Sequence, residues 1–209
     1  IDDPSAYFQT VLYTGNATAR SITNTGNSDL QPDWIWIKSR STAHQPVLTD
    51  SVRGTGKELR SDTTDVESSL GNITAFNSDG FSIGTRGEVN NSGSNFVAWN
   101  WKAGTSFTND ASATGIGSID STGSVNDTAG FSIVSYVGTG SAGTIKHGLS
   151  SAPTVIFAKD RQSTQNWQVY HSGLGATNRY LELNSAAAYA DGYAHFAGTA
   201  PTSSVFSIG

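Results

Sequence analysis

His44, Asp50 and Ser51 fall within one short stretch, and their types are those of a nucleophilic triad; His171-Ser172 offers a second His/Ser pair. The pattern is unspecific. Ser and Thr saturate the chain and no Gly-x-Ser-x-Gly elbow accompanies them, so surface loops account for these residues better than catalysis does. Asp62, Asp65 and Glu67 form an acidic cluster, with Asp79 in a tight-turn sequence, and a glycosidase needs two carboxylates flanking a cleft. In the aligned second half of the chain Asn184, Ser185 and Ala186 follow Leu183, so only part of that cluster has a counterpart, and solvated loop charge is the better reading. The same carboxylates, or Glu88 with Asn90 and Asn91, have the hard oxygen chemistry of a calcium site but lack EF-hand spacing. No catalytic residue, metal ligand or cofactor is therefore expected, calcium being the one ion these oxygens would suit.

Aromatic rings are the other candidates. A flat ring offers an apolar face to the C–H groups of a sugar, while neighbouring amides supply directional hydrogen bonds. Trp99, near Asn95 and Asn100, and Trp167, after Asn166, are the expected binding residues. Trp34 and Trp36 are read instead as core, because Val155 and Phe157 stand in their places in the second half.

The elements that must position these residues are strands. Asp33-Trp-Ile-Trp-Ile-Lys38 alternates large residues, Val47-Leu48 and Gln168-Val-Tyr170 are short strands, and Asn95 to Trp101 is a strand with one strongly aromatic face. Residues 8–23 read as a hairpin turning at Gly15-Asn16, and Ile133 to Ile145 as another turning at Gly138-Thr-Gly140. Asn77-Ser-Asp-Gly80 is a strong turn. Helical periodicity is lacking, Ala186 to Ala190 being the only helix-friendly run.

One block is used twice. Phe8 to Asn16 and Pro32 to Ser41 align with Phe131 to Thr139 and Pro153 to Ser163, and both halves reach Phe-Ser-Ile-Gly, at 81–84 and 206–209. A spacing of about 120 residues predicts two modules. The shared positions Tyr13/Tyr136, Pro32/Pro153, Lys38/Lys159, Arg40/Arg161, Gly54/Gly175, Leu59/Leu181 and Phe81/Phe206 are mostly the types that strand centres and turns need. The expected fold is all-β: two tandem β-sandwich modules of jelly-roll or lectin-like kind, at 1–104 and 131–209, joined by a Gly/Ser/Thr-rich connector at 105–130 containing one short strand. The second module, ending at Gly209, lacks a counterpart of the Trp99/Trp101 strand, so the polypeptide is expected to continue.

Composition limits the partners. Charged residues are 14% of the 209, and the net charge of -5 offers no basic track for a phosphate backbone, which argues against nucleic acid. No apolar run is long enough for a helical membrane span, so membrane insertion is not expected. Cysteine is absent, which excludes disulfides and thiolate chemistry. Methionine is absent too, and a chain opening on Ile1 is expected to be processed or to be one piece of a longer polypeptide.

The phrases Ile1-Asp-Asp-Pro-Ser-Ala-Tyr-Phe-Gln-Thr10, Gln31-Pro-Asp-Trp-Ile-Trp-Ile-Lys38, Asp50-Ser-Val-Arg-Gly54, Phe76-Asn-Ser-Asp-Gly-Phe81, Val97-Ala-Trp-Asn-Trp-Lys102, Gly130-Phe-Ser-Ile-Val-Ser-Tyr136 and Thr199-Ala-Pro-Thr-Ser-Ser-Val-Phe-Ser-Ile208 resemble a repeat module of structural proteins of tailed bacteriophages, particularly marine ones. The resemblance implies a virion setting, of tail-fibre or appendage type, and carries over no catalytic or ligand residues. The expected function is a non-enzymatic virion segment that attaches to host-surface glycan, in contact with other virion proteins and with copies of itself, as a homo-oligomer and by analogy a trimer. A tailspike-like depolymerase and a capsid decoration or scaffold protein are the alternatives.

Overall fold

The structure, a computed structural model, describes residues 1–192 and 195–209. It is all-β, with antiparallel sheets and only single turns of helix. The chain forms two compact units, residues 1–104 with 161–163, and residues 105–160 with 164–209.

In the first unit, β1 (Phe8–Thr14), β2 (Arg20–Ile22), β3 (Trp34–Ser39), β4 (Val47–Asp50), β5 (Ile73–Phe76), β6 (Phe81–Ile83) and β7 (Asn95–Trp101) make two sheets, ordered β1-β7-β3-β4 and β2-β6-β5. Their inner faces meet in one core. Val11 of β1, Ile35 and Ile37 of β3, Val47 of β4, and Phe96 and Ala98 of β7 pack against Ile22, Ile73, Phe81 and Ile83 of the other sheet. Side chains alternate across a strand, so each of these residues sends its neighbours to the opposite face. This is a β-sandwich in the ordinary sense of two sheets closed over apolar residues.

The hairpin expected at 8–23 does not form. β1 pairs with β7, β2 pairs with β6, and Gly15-Asn16 carries the chain from one sheet to the other. The crossing is held by residues 90–94, through backbone carbonyls as well as a side chain. Gly15 N–H donates to the Ser94 carbonyl, Ala17 N–H to the Asn90 carbonyl, and Asn16 N–H to Asn90 Oδ1 at 2.9 Å. The fully buried Asn90 side chain also donates to the Thr18 and Gly84 carbonyls, each at 2.8 Å. Asn90 ends α1 (Gly87–Asn90), a single turn between β6 and β7. The true hairpin joins β5 to β6 through Asn77–Gly80. Gly80 sits at φ +96, and a Cβ there would lie 2.1 Å from the Ile22 carbonyl oxygen, so the turn needs a residue without one.

The second unit contains β8 (Thr105–Asn109), α2 (Ala111–Thr114), β9 (Ser121–Asn126), β10 (Phe131–Tyr136), β11 (Gly143–Lys146), β12 (Val155–Ala158), β13 (Gln168–His171), β14 (Arg179–Glu182), β15 (Ala190–Asp191) and β16 (Val205–Ile208). Its sheets are ordered β10-β9-β8, β11-β16 and β12-β13-β14-β15. Residues 105–130, expected as a connector with one short strand, supply two strands and a helical turn of this unit. Their Gly and Ser positions belong to the sheet: a Cβ at Gly123, opposite Phe107 in the β8–β9 pair, would lie 2.6 Å from its ring. The segment expected at 133–145 again splits, β10 pairing with β9 and β11 with β16. Residues 186–189, within the helix-friendly run, are irregular, and Ala190 begins β15.

Three pairings recur between the units in matching register. Ile22 faces Phe81 as Ile145 faces Phe206, Trp36 faces Leu48 as Phe157 faces Val169, and the Leu48–Leu59 bridge has its like in Val169 opposite Leu181.

Candidate binding face

Because Ile35 and Ile37 face the core, Trp34 and Trp36 point to the other side of the sheet, which corrects the core reading of these two rings. Trp99 and Trp101 of β7 point the same way, outward from Ala98 and Asn100. Register then aligns the outward residues in rows. Phe8, Trp101 and Trp34 form one, with ring centroids 4.8 and 5.7 Å apart; Thr10, Trp99 and Trp36 form the next; Leu12, Val97 and Lys38 the third; Thr14 and Asn95 close the strip. Trp36 and Trp99 meet edge to face at 5.9 Å, a geometry that adds about 0.5–1.5 kcal/mol to the burial of the rings. Both remain partly exposed, and Leu12 beside them is 61% exposed.

The polar groups along this strip are positioned by the loops at its end. Thr14 Oγ1 donates to Asn95 Oδ1 at 3.0 Å, both residues being exposed, and Asn95 N–H donates to Ser41 Oγ. Lys38 turns its ammonium back onto the Ser39 and His44 carbonyls, at 3.1 and 2.7 Å, so its stem lies along the sheet while its charge is held by the following loop. From Asn95 to Trp99 the strand advances about 13 Å.

The five expected binding residues separate. Asn95 and Trp99 share the outward face. Asn100 faces inward, fully buried, and donates to Asn24 Oδ1 at 3.0 Å, so it is a structural amide. Trp167 and Asn166 belong to the other unit. Trp167 is only 5% exposed, which makes its ring part of the packing, and Asn166 is engaged by Glu182 and Asn184 at 2.7 and 2.9 Å. Sequence reasoning missed Trp36 and Leu12; the signal was the period-two alternation, which puts 34 and 36 on one face as surely as 97, 99 and 101.

The triad types do not assemble. Ser51 Oγ donates to Asp33 Oδ1 at 2.6 Å, Asp50 accepts from Arg53 Nε at 2.5 Å, and His171 Nδ1 accepts from the Gly173 N–H. In the acidic cluster, Glu67 is drawn into ion pairs. Arg161 embraces it with Nε and a terminal nitrogen, at 2.8 and 2.9 Å, and Arg53 adds a third bond at 3.2 Å. Burial pushes the Glu67 carboxyl up, but the bonds from the two guanidinium groups together outweigh it and leave its pKa below the usual carboxylate range. Glu88 is paired with Arg86 and Arg60. Among the described residues no group of three His, Cys, Asp or Glu is placed to hold a metal ion.

No curated protein and no solved structure matches this sequence. A family model does, along residues 3–209, with the description Domain of unknown function (DUF7483). A match of that extent covers both units, and the chain belongs to this family.

Proposed function

We propose that the chain is a non-enzymatic segment of a bacteriophage virion, of tail-fibre or appendage type, which attaches to host-surface glycan through the outward face of β1, β7 and β3. The observation that carries the reading is the partly exposed Trp36–Trp99 pair, flanked by exposed Leu12 and Thr10 and closed by the amide of Asn95. Apolar rings beside hydroxyl and amide groups suit a sugar, which has C–H faces and hydroxyl edges. With a net charge of -5 the surface favours neutral glycans over acidic ones. The recurring strand pairings support reading the two units as versions of one duplicated sandwich, of which the first carries the glycan face. Association of copies into a homo-oligomer, a trimer by analogy with tail fibres, would multiply weak contacts through avidity.

Incubation with host surface polysaccharide separates binder from depolymerase: retention on the polysaccharide with no growth in reducing ends fits attachment, and sustained release of oligosaccharide contradicts it. Location of the chain in a virion reconstruction, at the tail or on the capsid, tests the setting.

A further inference from the structure

We infer that His147 is an acid-sensitive catch on β16: its neutral ring ties the turn before β16 to the turn after β11, and a proton on Nδ1 breaks the tie. This goes beyond the glycan-binding reading and does not depend on it. Lys146 of β11 pairs with Val205 of β16, and the ladder runs one residue further, His147 N–H donating to the Ser204 carbonyl at 3.3 Å. His147 is only 3% exposed, and both of its ring nitrogens are engaged. Nδ1 accepts from the Leu149 N–H at 3.2 Å, and Nε2 meets the Thr202 carbonyl at 3.1 Å. A backbone N–H can only donate and a carbonyl can only accept, so a single state satisfies both contacts: the neutral ring with its proton on Nε2. Thr202 in turn closes the turn into β16. Its Oγ1 accepts from the Ser204 and Val205 N–H groups at 3.2 and 3.1 Å, and its N–H donates to the Val205 carbonyl at 2.9 Å.

A second proton has no place in this arrangement. On Nδ1 it would point at the Leu149 N–H and turn a hydrogen bond into two donors held 3.2 Å apart in a buried site. The turn is itself packed on β8: Gly148 sits at φ +83, and a Cβ there would lie 2.9 Å from the Phe107 ring. Relief comes when the ring leaves for water, and the Thr202 bond leaves with it. His171 shows what burial adds. Its Nδ1 accepts in the same way from the Gly173 N–H at 2.9 Å, but that residue is exposed, so its ring can turn into water in place. Among the described residues, the groups that meet His147 are uncharged, the Ser132 hydroxyl donating to its carbonyl being a third. Charged groups of the neighbouring elements are held elsewhere, Lys146 Nζ over the Phe107 ring at 5.7 Å and Asp127 on the Ser150 N–H at 2.7 Å. Burial therefore sets the balance. It pulls the imidazole below its ordinary pKa of 6.5, and the bond to the Thr202 carbonyl offsets only part of this. The opened state takes up the proton first, so the tie is intact above 6.5 and is lost as pH falls from there through the lowered value.

The test uses the whole chain between pH 4.5 and 8. Long-range proton–nitrogen NMR spectra of the four histidines should show His147 with its proton on Nε2 at pH 7.5 and a titration midpoint below 6.5. Hydrogen exchange, corrected for the intrinsic pH dependence of amide rates, should show protection at Leu149 and at 204–208 falling by about tenfold or more from pH 7.5 to pH 5. His147→Asn separates the titration of this ring from that of every other group, because Asn Oδ1 accepts the Leu149 N–H as an Asx turn at any pH. The variant should be less protected than wild type at pH 7.5, for want of the Thr202 bond, and should change by less than about twofold on acidification. The titration and the wild-type exchange need no variant, so they decide the matter even where the substitution fails to fold. A proton on Nδ1 of the neutral ring, a midpoint at or above 6.5, unchanged wild-type protection at pH 5, or an equal fall in the folded variant would overturn the inference.

Discussion

Glu58→Gln is expected to make the protein more stable at neutral pH. The Glu58 side chain is 1% exposed, with Oε1 accepting from the Leu70 N–H at 3.1 Å and Oε2 accepting from Asn72 Nδ2. Burial pushes its carboxyl up, and the bond from Asn72, the nearby charge of Arg60 and the Leu70 N–H only partly offset that. On the other side of the same amide, Asn72 Oδ1 is buried without a hydrogen bond among the described residues. Gln at 58 keeps the acceptor for Leu70, and a rotation of the Asn72 amide lets the new Nε2–H donate to Asn72 Oδ1 while the charge is removed. The rotation carries Asn72 Nδ2 to the side where Oδ1 had no partner, so the hydrogen-bond count is unchanged, and the gain, on the order of 1 kcal/mol at pH 7, comes from removing a carboxylate whose burial disfavours its charged form. The gain depends on pH in a defined direction. A raised carboxyl pKa means that the folded state holds a proton the unfolded state has released, so wild-type stability falls as pH rises from the ordinary value of 4.5 through the raised one. Below that window protonated Glu58 can itself donate to Asn72, and variant and wild type should converge. Urea titrations from pH 4 to 8 measure this, and a variant less stable than wild type at pH 7, or a difference independent of pH, would refute the argument.

Further outcomes rest on other parts of the fold. Asn90→Ala removes three bonds that hold the crossing between the sheets, a loss of about 3 kcal/mol at about 1 kcal/mol each, and thermal melting should show it as a fall of roughly 6–12 °C. Glu67→Gln should cost about 1.5–3 kcal/mol at neutral pH, because it removes the charge from the bonds to Arg161 and Arg53 while Asp50 keeps Arg53 paired; the wild-type contribution is fully present above the ordinary carboxylate pKa and lost as pH falls through the lowered one, so acid titration of the variant should be flatter there. Trp167→Ala should destabilise by about 3–5 kcal/mol as a core deletion, with glycan binding by the folded fraction unchanged.

The sandwich was legible in the sequence because its strands are short, alternating and bounded by turn residues. What local pattern could not give was which strand pairs with which. Gly15-Asn16 has the chemistry of a hairpin turn, but Asn90, far along the chain, supplies the bonds that turn it into a crossing between sheets. Residues 105–130 looked like a linker because Gly123 and its Ser neighbours are small, and only the ring of Phe107 opposite explains why a strand there must be. In the candidate site, Asn95 and Trp99 were readable from the alternation of β7. Asn100 was misplaced although it is adjacent to Trp99, because one residue along a strand is the other face of the sheet. Trp167 follows a polar loop, and nothing local announces that its ring is buried.

The most direct test of attachment through the outward face is binding of purified host surface polysaccharide, by calorimetry or surface retention, to wild type, Trp36→Ala and Trp99→Ala. Loss of one stacking ring should weaken binding by about tenfold, at roughly 1–1.5 kcal/mol for the ring, while each variant keeps a cooperative melting transition. Undiminished binding by both folded variants would contradict the account.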